Sequence, residues 1–257
     1  MQRFMHPLMD THTHLYDDSF DADRPAVLES AGAAGVVRMI TVSETVEDAR
    51  RNLELAGEYP ELMPAAGLYP TYLDLDAADG MQAFIRRKRD RLAAIGEVGL
   101  DYWAVQDESE RDIQRRIFEA FIDLSLELDL PLNVHSRSAG RHAVDLLVKK
   151  GAKRVQLHAF DGKSGAARPA VEAGYFFSVP SSIERSRQKQ KLVRQLPLSC
   201  LLVETDSPVL GPDPKVRNEP KNAVLALNMI AKIKDVSPAA VAEAVYDNTR
   251  RLYGDVF

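Results

Sequence analysis

Only one cysteine, Cys200, occurs in this chain of 257 residues. A single thiol excludes an intramolecular disulfide framework and a zinc module built from cysteine pairs. Long apolar runs are missing too. No stretch approaches the roughly 18 uninterrupted apolar residues of a membrane span, and the opening MQRFMHPLMD lacks the apolar core of a secretory leader. Positive charge is in short supply: 33 Lys+Arg oppose 38 Asp+Glu, a formal net charge of -5. That balance argues against broad electrostatic attachment to nucleic acid, but leaves room for a local phosphate site built on metal ions. No low-complexity tract, long linker or internal repeat divides the chain. The expectation is a soluble cytoplasmic protein with no membrane attachment and no inferable protein partner.

Hydrophobic residues at 45% and charged residues at 28% are ordinary globular values and exclude disordered or collagen-like readings. What recurs is a short apolar run followed by a helical pattern. The runs are 7–10, 35–42, 62–67, 92–98, 131–134, 154–158, 174–179 and 199–205. Most are continuously apolar or small, as strands buried on both faces are. Between them, Asp23 and Pro25 mark a helix start and Gly35 follows its end. Ile113, Phe118, Phe121, Ile122, Leu126 and Leu128 give the segment 109–128 one buried face. Gly151 ends a helix carrying Ala143, Leu146 and Leu147, and 220–234 and 238–253 supply two more. Eight strands alternating with helices predict an α/β fold, a single (β/α)8 TIM barrel spanning 1–257.

Six histidines occur, and four of them (His12, His14, His135, His158) sit at or just past the C-terminal end of a predicted strand, where such barrels carry their active sites. In an extended segment His12 and His14 point the same way, which makes half of a site for zinc or another borderline metal. An isolated HxH is a weak signal by itself. Glu97 lies inside the apolar Ile95–Leu100 stretch. A carboxylate there is costly unless paired or metal-bound; it is read as a bridge between two cations, against a loop cap or an Arg partner. His135 and His158 each read alone as satisfied core histidines, but together at equivalent strand ends they read as ligands. Asp206, before Ser207-Pro208, is either a turn residue or a ligand that takes a proton from a metal-activated water. Glu204 shares its parity.

With these residues in place, the chain resembles the TatD family of metal-dependent hydrolases within the amidohydrolase-like barrels. The motifs DTHTHL (10–15), GEVGLDY (96–102), NVHSRSAG (133–140), HAFDG (158–162) and ETDSP (204–208) run in family order across nearly the whole chain. HAFDG, AGYFFSVP, QKQKLVRQLPL and VRNEP are most similar to the branch of the animal TatD-domain paralogues. The resemblance implies two divalent metal ions (Mg2+, Zn2+ or Mn2+). His12, His14 and Asp206 would hold one, Glu97 would bridge, and His135 and His158 would hold the other. No carbamylated lysine is implied. The implied activity is deoxyribonuclease or 3′ exonuclease action on DNA ends or another phosphodiester, with Asp206 and Glu97 as catalytic residues. Four imidazoles suit Zn2+ or Mn2+ better than the Mg2+ usual in descriptions of the family.

One departure stands out. The family's G-x-H-P reads Gly67-Leu68-Tyr69-Pro70 here, and a tyrosine can donate a hydrogen bond but carries no positive charge. Further substrate-binding candidates are Arg137 and Arg217, with the run Arg185, Arg187, Lys189, Lys191 and Arg194 read either as phosphate contacts or as a solvated helix face. Arg137 shares the parity of His135 if the strand continues. Arg86-Arg87-Lys88-Arg89 reads as solvated exterior, and His6 and His142 as bystanders. Asp101 and Asp161 are candidates to orient ligands. Tyr102 and Trp103 offer either a stacking surface for a base or packing over the barrel mouth. Two other readings compete: hydrolysis of a small amide, ester or lactone by the same metals, and a non-catalytic metal-binding scaffold. The inward pair Glu97 and Asp206 argues against the scaffold.

Overall fold

The computed structural model describes residues 6–256; residues 1–5 and 257 of the expected single domain lie outside the described residues. Eight parallel strands run in sequence order: β1 Leu8–Thr13, β2 Val36–Thr41, β3 Leu62–Ala66, β4 Ala94–Gly99, β5 Leu132–His135, β6 Val155–Leu157, β7 Phe176–Pro180 and β8 Leu201–Glu204. The seam between the last strand and the first is closed by Asp206 N donating to His12 O and His14 N to Ser207 O, both at 2.8 Å. The helices are α1 Arg24–Ala33, α2 Val46–Glu58, α3 Leu75–Lys88, α4 Glu108–Leu128, α5 Gly140–Lys150, α6 Ser164–Glu172, α7 Arg187–Gln195, α8 Ala223–Lys234 and α9 Pro238–Tyr253. The expected TIM barrel is the fold observed.

Local chemistry explains the boundaries. Thr45 and Asp48 form a reciprocal capping box at the start of α2. The Asp107 carboxylate accepts from the Ser109 and Glu110 backbones to start α4. Gly151, at φ 70°, stops α5 in the left-handed conformation that glycine tolerates.

Two apolar clusters divide the core. One lies between strands and helices and includes Leu8, Met39, Ile95 and Leu201. The other contains the alternate strand residues Met9, Ile40, Ala94 and Leu202 and is completed by Leu252 and Tyr253 of α9. It fills the barrel interior at the end opposite the strand C-termini. A polar layer is joined to it. Tyr253 donates to Gln156 Oε1, and the Gln156 amide donates to Thr11 O and Ser178 Oγ.

Strict alternation continued from the outer residue Leu8 would carry His12 and His14 outward, and continued from Ile95 would carry Glu97 outward. The register shifts between Asp10 and Thr13 in β1 and between Ile95 and Val98 in β4. Such irregularities re-aim side chains, and both here coincide with ligand-type residues. Sequence parity placed His12 and His14 on a common face; the irregularity decides that this face is the interior. Among the described residues no helix is long and apolar enough to cross a membrane.

Candidate metal centre

Six side chains from five strand ends converge at the barrel mouth, all buried: His12, His14, Glu97, His135, His158 and Asp206. His12 Nε2 and His14 Nε2 are 3.3 Å apart. Asp206 Oδ1 lies 3.5 Å from the first and 3.2 Å from the second, and Glu97 Oε2 lies 3.7 Å from each. Ligands about 2.1 Å from one tetrahedral ion are separated by about 3.4 Å. The spacings match the edges of a coordination polyhedron better than a set of hydrogen bonds.

The other Glu97 oxygen faces the second pair. Oε1 accepts from His135 Nδ1 at 2.6 Å and lies 3.5 Å from His158 Nε2. Glu97, His135 and His158 offer ligand atoms all within 4.8 Å of one another, as do His12, His14 and Glu97. One carboxylate thus turns one oxygen to each histidine pair. Gly99 makes room beside it: at φ +146°, a Cβ there would lie 2.1 Å from the His135 carbonyl oxygen.

Three of the four imidazoles are oriented through their other nitrogen, which fixes the tautomer able to ligate. His12 Nδ1 donates to Asn133 Oδ1 at 2.8 Å, and the Asn133 amide donates to Thr11 O. His135 Nε2 donates to Asp101 Oδ2 at 3.0 Å, and His158 Nδ1 to Glu204 Oε1 at 3.2 Å. Glu204 is itself held by the Ala159 N–H and the Ser178 hydroxyl. Among the described residues His14 Nδ1 has no hydrogen-bond partner; Glu44 Oε1 stands 3.9 Å away.

Electrostatics follow from this crowding. Burial works against charging His12, but the Glu97 and Asp206 carboxylates outweigh it and lift its pKa to about 10. His135 rises to about 9 against burial, through Glu97 and Asp101. Burial pushes the Glu97 and Asp206 carboxyls up, yet the imidazoles around them carry both well below the usual carboxylate range. Beneath them Asp10, fully buried, is raised by burial to about 7 against hydrogen bonds from Thr205.

The remaining candidates divide. Tyr69 is half-buried, its ring edge-on to His135 at 5.1 Å, and burial and Glu97 raise its hydroxyl pKa so that it stays a neutral donor. Arg217 is engaged elsewhere, bound to Asp23 Oδ2 at 2.6 Å and Glu219 Oε1 at 3.3 Å, so its charge is already compensated. Extended geometry does not persist to Arg137. β5 ends at His135, Ser138 turns left-handed at φ 55°, and Arg137 lies over the Trp103 ring at 3.7 Å. Asp161 accepts from Ser138 N and orients no ligand histidine, unlike Asp101. In the basic run, Lys189 donates to Ala159 O and Arg185 to Gly211 O, while Arg187, Lys191 and Arg194 are exposed. His6 packs on Tyr246 and His142 on Tyr102, apart from the cluster. Asn133 and Ser178 went unread in the sequence. The signal for Asn133 was there: a polar residue inside an apolar strand, with the parity of His135.

A family profile described as TatD related DNase matches residues 9–254. The human protein named Deoxyribonuclease TATDN3 is 43% identical over 262 residues, covering 96% of this chain and 94% of that one. A Bacillus subtilis protein named Uncharacterized metal-dependent hydrolase YabD is 32% identical over 255 residues, covering 96% and 98%. The crystal structure of YjjV, a TatD homologue from Escherichia coli, superposes with a TM-score of 0.87 at 28% identity, covering 96% of this chain and 97% of the other.

Proposed function

Since the chain belongs to the TatD-related DNase family, we propose that it hydrolyses phosphodiester bonds at DNA ends with two divalent ions. His12, His14 and Asp206 would hold one ion, His135 and His158 the other, with Glu97 shared between them. The observation that carries this reading is the Glu97 carboxylate, one oxygen facing each histidine pair. The four imidazoles favour Zn2+ or Mn2+ over Mg2+, whose hard oxygen preference they satisfy poorly.

Bound ions supply an acidified water and offset the charge that builds on phosphoryl oxygens. The chain's own residues do the rest. Asn133, Asp101 and Glu204 hold three imidazoles in the ligating tautomer. Asp206, buried beside His12 and His14, is the carboxylate placed to accept a proton at the mouth. Tyr69 places its ring beside His135 and offers a hydroxyl, which carries no positive charge, where the family motif has an imidazole.

The test is reconstitution of metal-stripped protein with Mg2+, Mn2+ or Zn2+, assayed on end-labelled single-stranded DNA, small phosphodiesters and esters. DNA hydrolysis is expected to fall by at least about 100-fold in Asp206→Asn and Glu97→Ala, with the fold retained. DNA degradation that survives both substitutions refutes the nuclease reading. Turnover of esters alone moves the assignment to a small-molecule hydrolase, the reading that Tyr69 favours.

A further inference from the structure

Among the described residues, five of the eight exposed large apolar side chains lie in segments that follow strands β3, β4 and β8: Tyr72, Leu75, Trp103, Val209 and Val216. Those segments open on the face that carries the metal centre. Trp103 is the largest of the five and remains 58% exposed, although a guanidinium already lies against it.

Its support is unusual for an exposed residue. The Trp103 N–H donates to Asp101 Oδ1 at 3.0 Å, and the Ala104 N–H to the same oxygen at 2.9 Å. The second Asp101 oxygen holds His135 Nε2. One carboxylate therefore fixes both the indole's backbone and a ligand histidine. On the other side Tyr102 N donates to Arg137 O at 3.0 Å, two residues beyond His135. Arg137 then places its guanidinium 3.7 Å from the indole centroid. Arg137 is exposed and forms no ion pair among the described residues, whereas Arg217 is spent on two carboxylates. Tyr102 differs from its neighbour: it is buried, with Arg111 over its ring and Arg115 donating to its hydroxyl.

We infer that Trp103 and Arg137 form a subsite for an unpaired nucleobase next to the scissile bond. This rests on the proposed action at DNA ends. The open part of the indole takes the base by stacking, and the guanidinium closes one side and supplies uncompensated positive charge toward a phosphate. Stacking needs no particular base, so the subsite selects unstacked ends over duplex and is sequence-tolerant. Because Asp101 ties the platform to His135, a stacked terminal base stands at a fixed reach from the metals.

Trp103 is the only tryptophan in the chain, so its fluorescence reports on the platform without labelling. Titration of the metal-loaded protein with a short single-stranded oligonucleotide carrying hydrolysis-resistant linkages should quench that emission, and the same oligonucleotide with an abasic 3′ end should quench it much less. In the metal-loaded enzyme, Trp103→Ala should raise KM for single-stranded ends about tenfold with kcat within about twofold, and Trp103→Phe should recover most of the loss. The penalty should shrink to about twofold on the abasic end. An equal penalty on both ends, or none on either, overturns the subsite. So does emission that follows protein concentration and not oligonucleotide, which marks a contact between copies of the chain. If the enzyme cleaves no DNA, titration with mononucleotides still decides: quenching keeps the base platform and fails only the nuclease reading, and its absence overturns the platform.

Discussion

Loading this site with metal should expel protons, and the number follows from the geometry. In the metal-free protein His12 titrates near 10 and His135 near 9, each held up against burial by carboxylates at close range. Both are imidazolium at a pH of about 7.5. An imidazole must be neutral to bind a metal. The two residues belong to different halves of the site, so each ion displaces at least one proton. Each affinity should then rise about tenfold per pH unit, about 1.4 kcal/mol, or about 100-fold between roughly pH 6.5 and 8.5. The rise should level near pH 9 for the His135 half and near pH 10 for the His12 half. His14 is raised as well, against burial and through Asp206. The assay is calorimetric titration of the stripped protein with Zn2+ or Mn2+ in buffers of different ionisation enthalpy. The slope of observed heat against buffer enthalpy gives the protons released, expected to be about two or more for two ions. A slope of zero with affinity flat over that range would refute the assigned proton-holding role of Glu97 and its neighbours.

The same shifts make the metal-free fold pH-sensitive. His12 and His135 have folded pKa values above the unfolded value, so their stabilisation is complete below about pH 6.5 and is lost as pH climbs through about 9 to 10. Thermal melts of stripped protein should shift downward across that window, and a melting temperature that rises there contradicts the charge assignment. Glu204→Gln removes the charge that meets His158 Nδ1, Ala159 N and the Ser178 hydroxyl; metal affinity at the His135/His158 half should drop about 10- to 100-fold by calorimetry, and unchanged affinity removes Glu204 from the site's support. Gly99→Ala places a methyl 2.1 Å from His135 O at φ +146°, so urea unfolding should show a loss on the order of 3 to 5 kcal/mol. A loss under about 1 kcal/mol would mean that β4 yields without strain.

The barrel was legible from its apolar runs because both faces of every strand are covered, which makes hydropathy a direct report of burial. It stopped being legible where the interior turns polar. The apolar run ends at Asp10, but β1 continues through fully buried Thr11, His12 and Thr13. Strands on the far side of the barrel satisfy that polar backbone through the interior, with Asn133 of β5 and Gln156 of β6 both donating to Thr11 O. A one-dimensional reading cannot see partners more than 120 positions away. The convergence of the six candidate residues was legible for a different reason: each is a polar side chain in or just past a strand of the barrel, where only residues from other strands can meet it. Arg217 and Arg137 mark the limit of charge-based reasoning. Both are cations in segments that follow strands, and only the fold shows that one is compensated by Asp23 and Glu219 while the other lies open on Trp103.

The acidic balance of the chain and the proposed phosphate substrate can be reconciled at the site itself. Glu97, Asp101, Glu204 and Asp206 are all buried around the histidines. At neutral pH without metal, protons on His12 and His135 offset part of that negative charge. On the proposed reading, exchanging those protons for two divalent ions would add positive charge where a phosphodiester would sit, and none to the exterior. Attraction for substrate would thereby be confined to the mouth and made conditional on the ions. The paired basic residues of the outer helices, such as Arg86 with Glu127, then have no need to contribute. Metal removal should therefore weaken substrate binding as well as turnover, since the stripped mouth presents phosphate with carboxylates and only partly charged imidazoles.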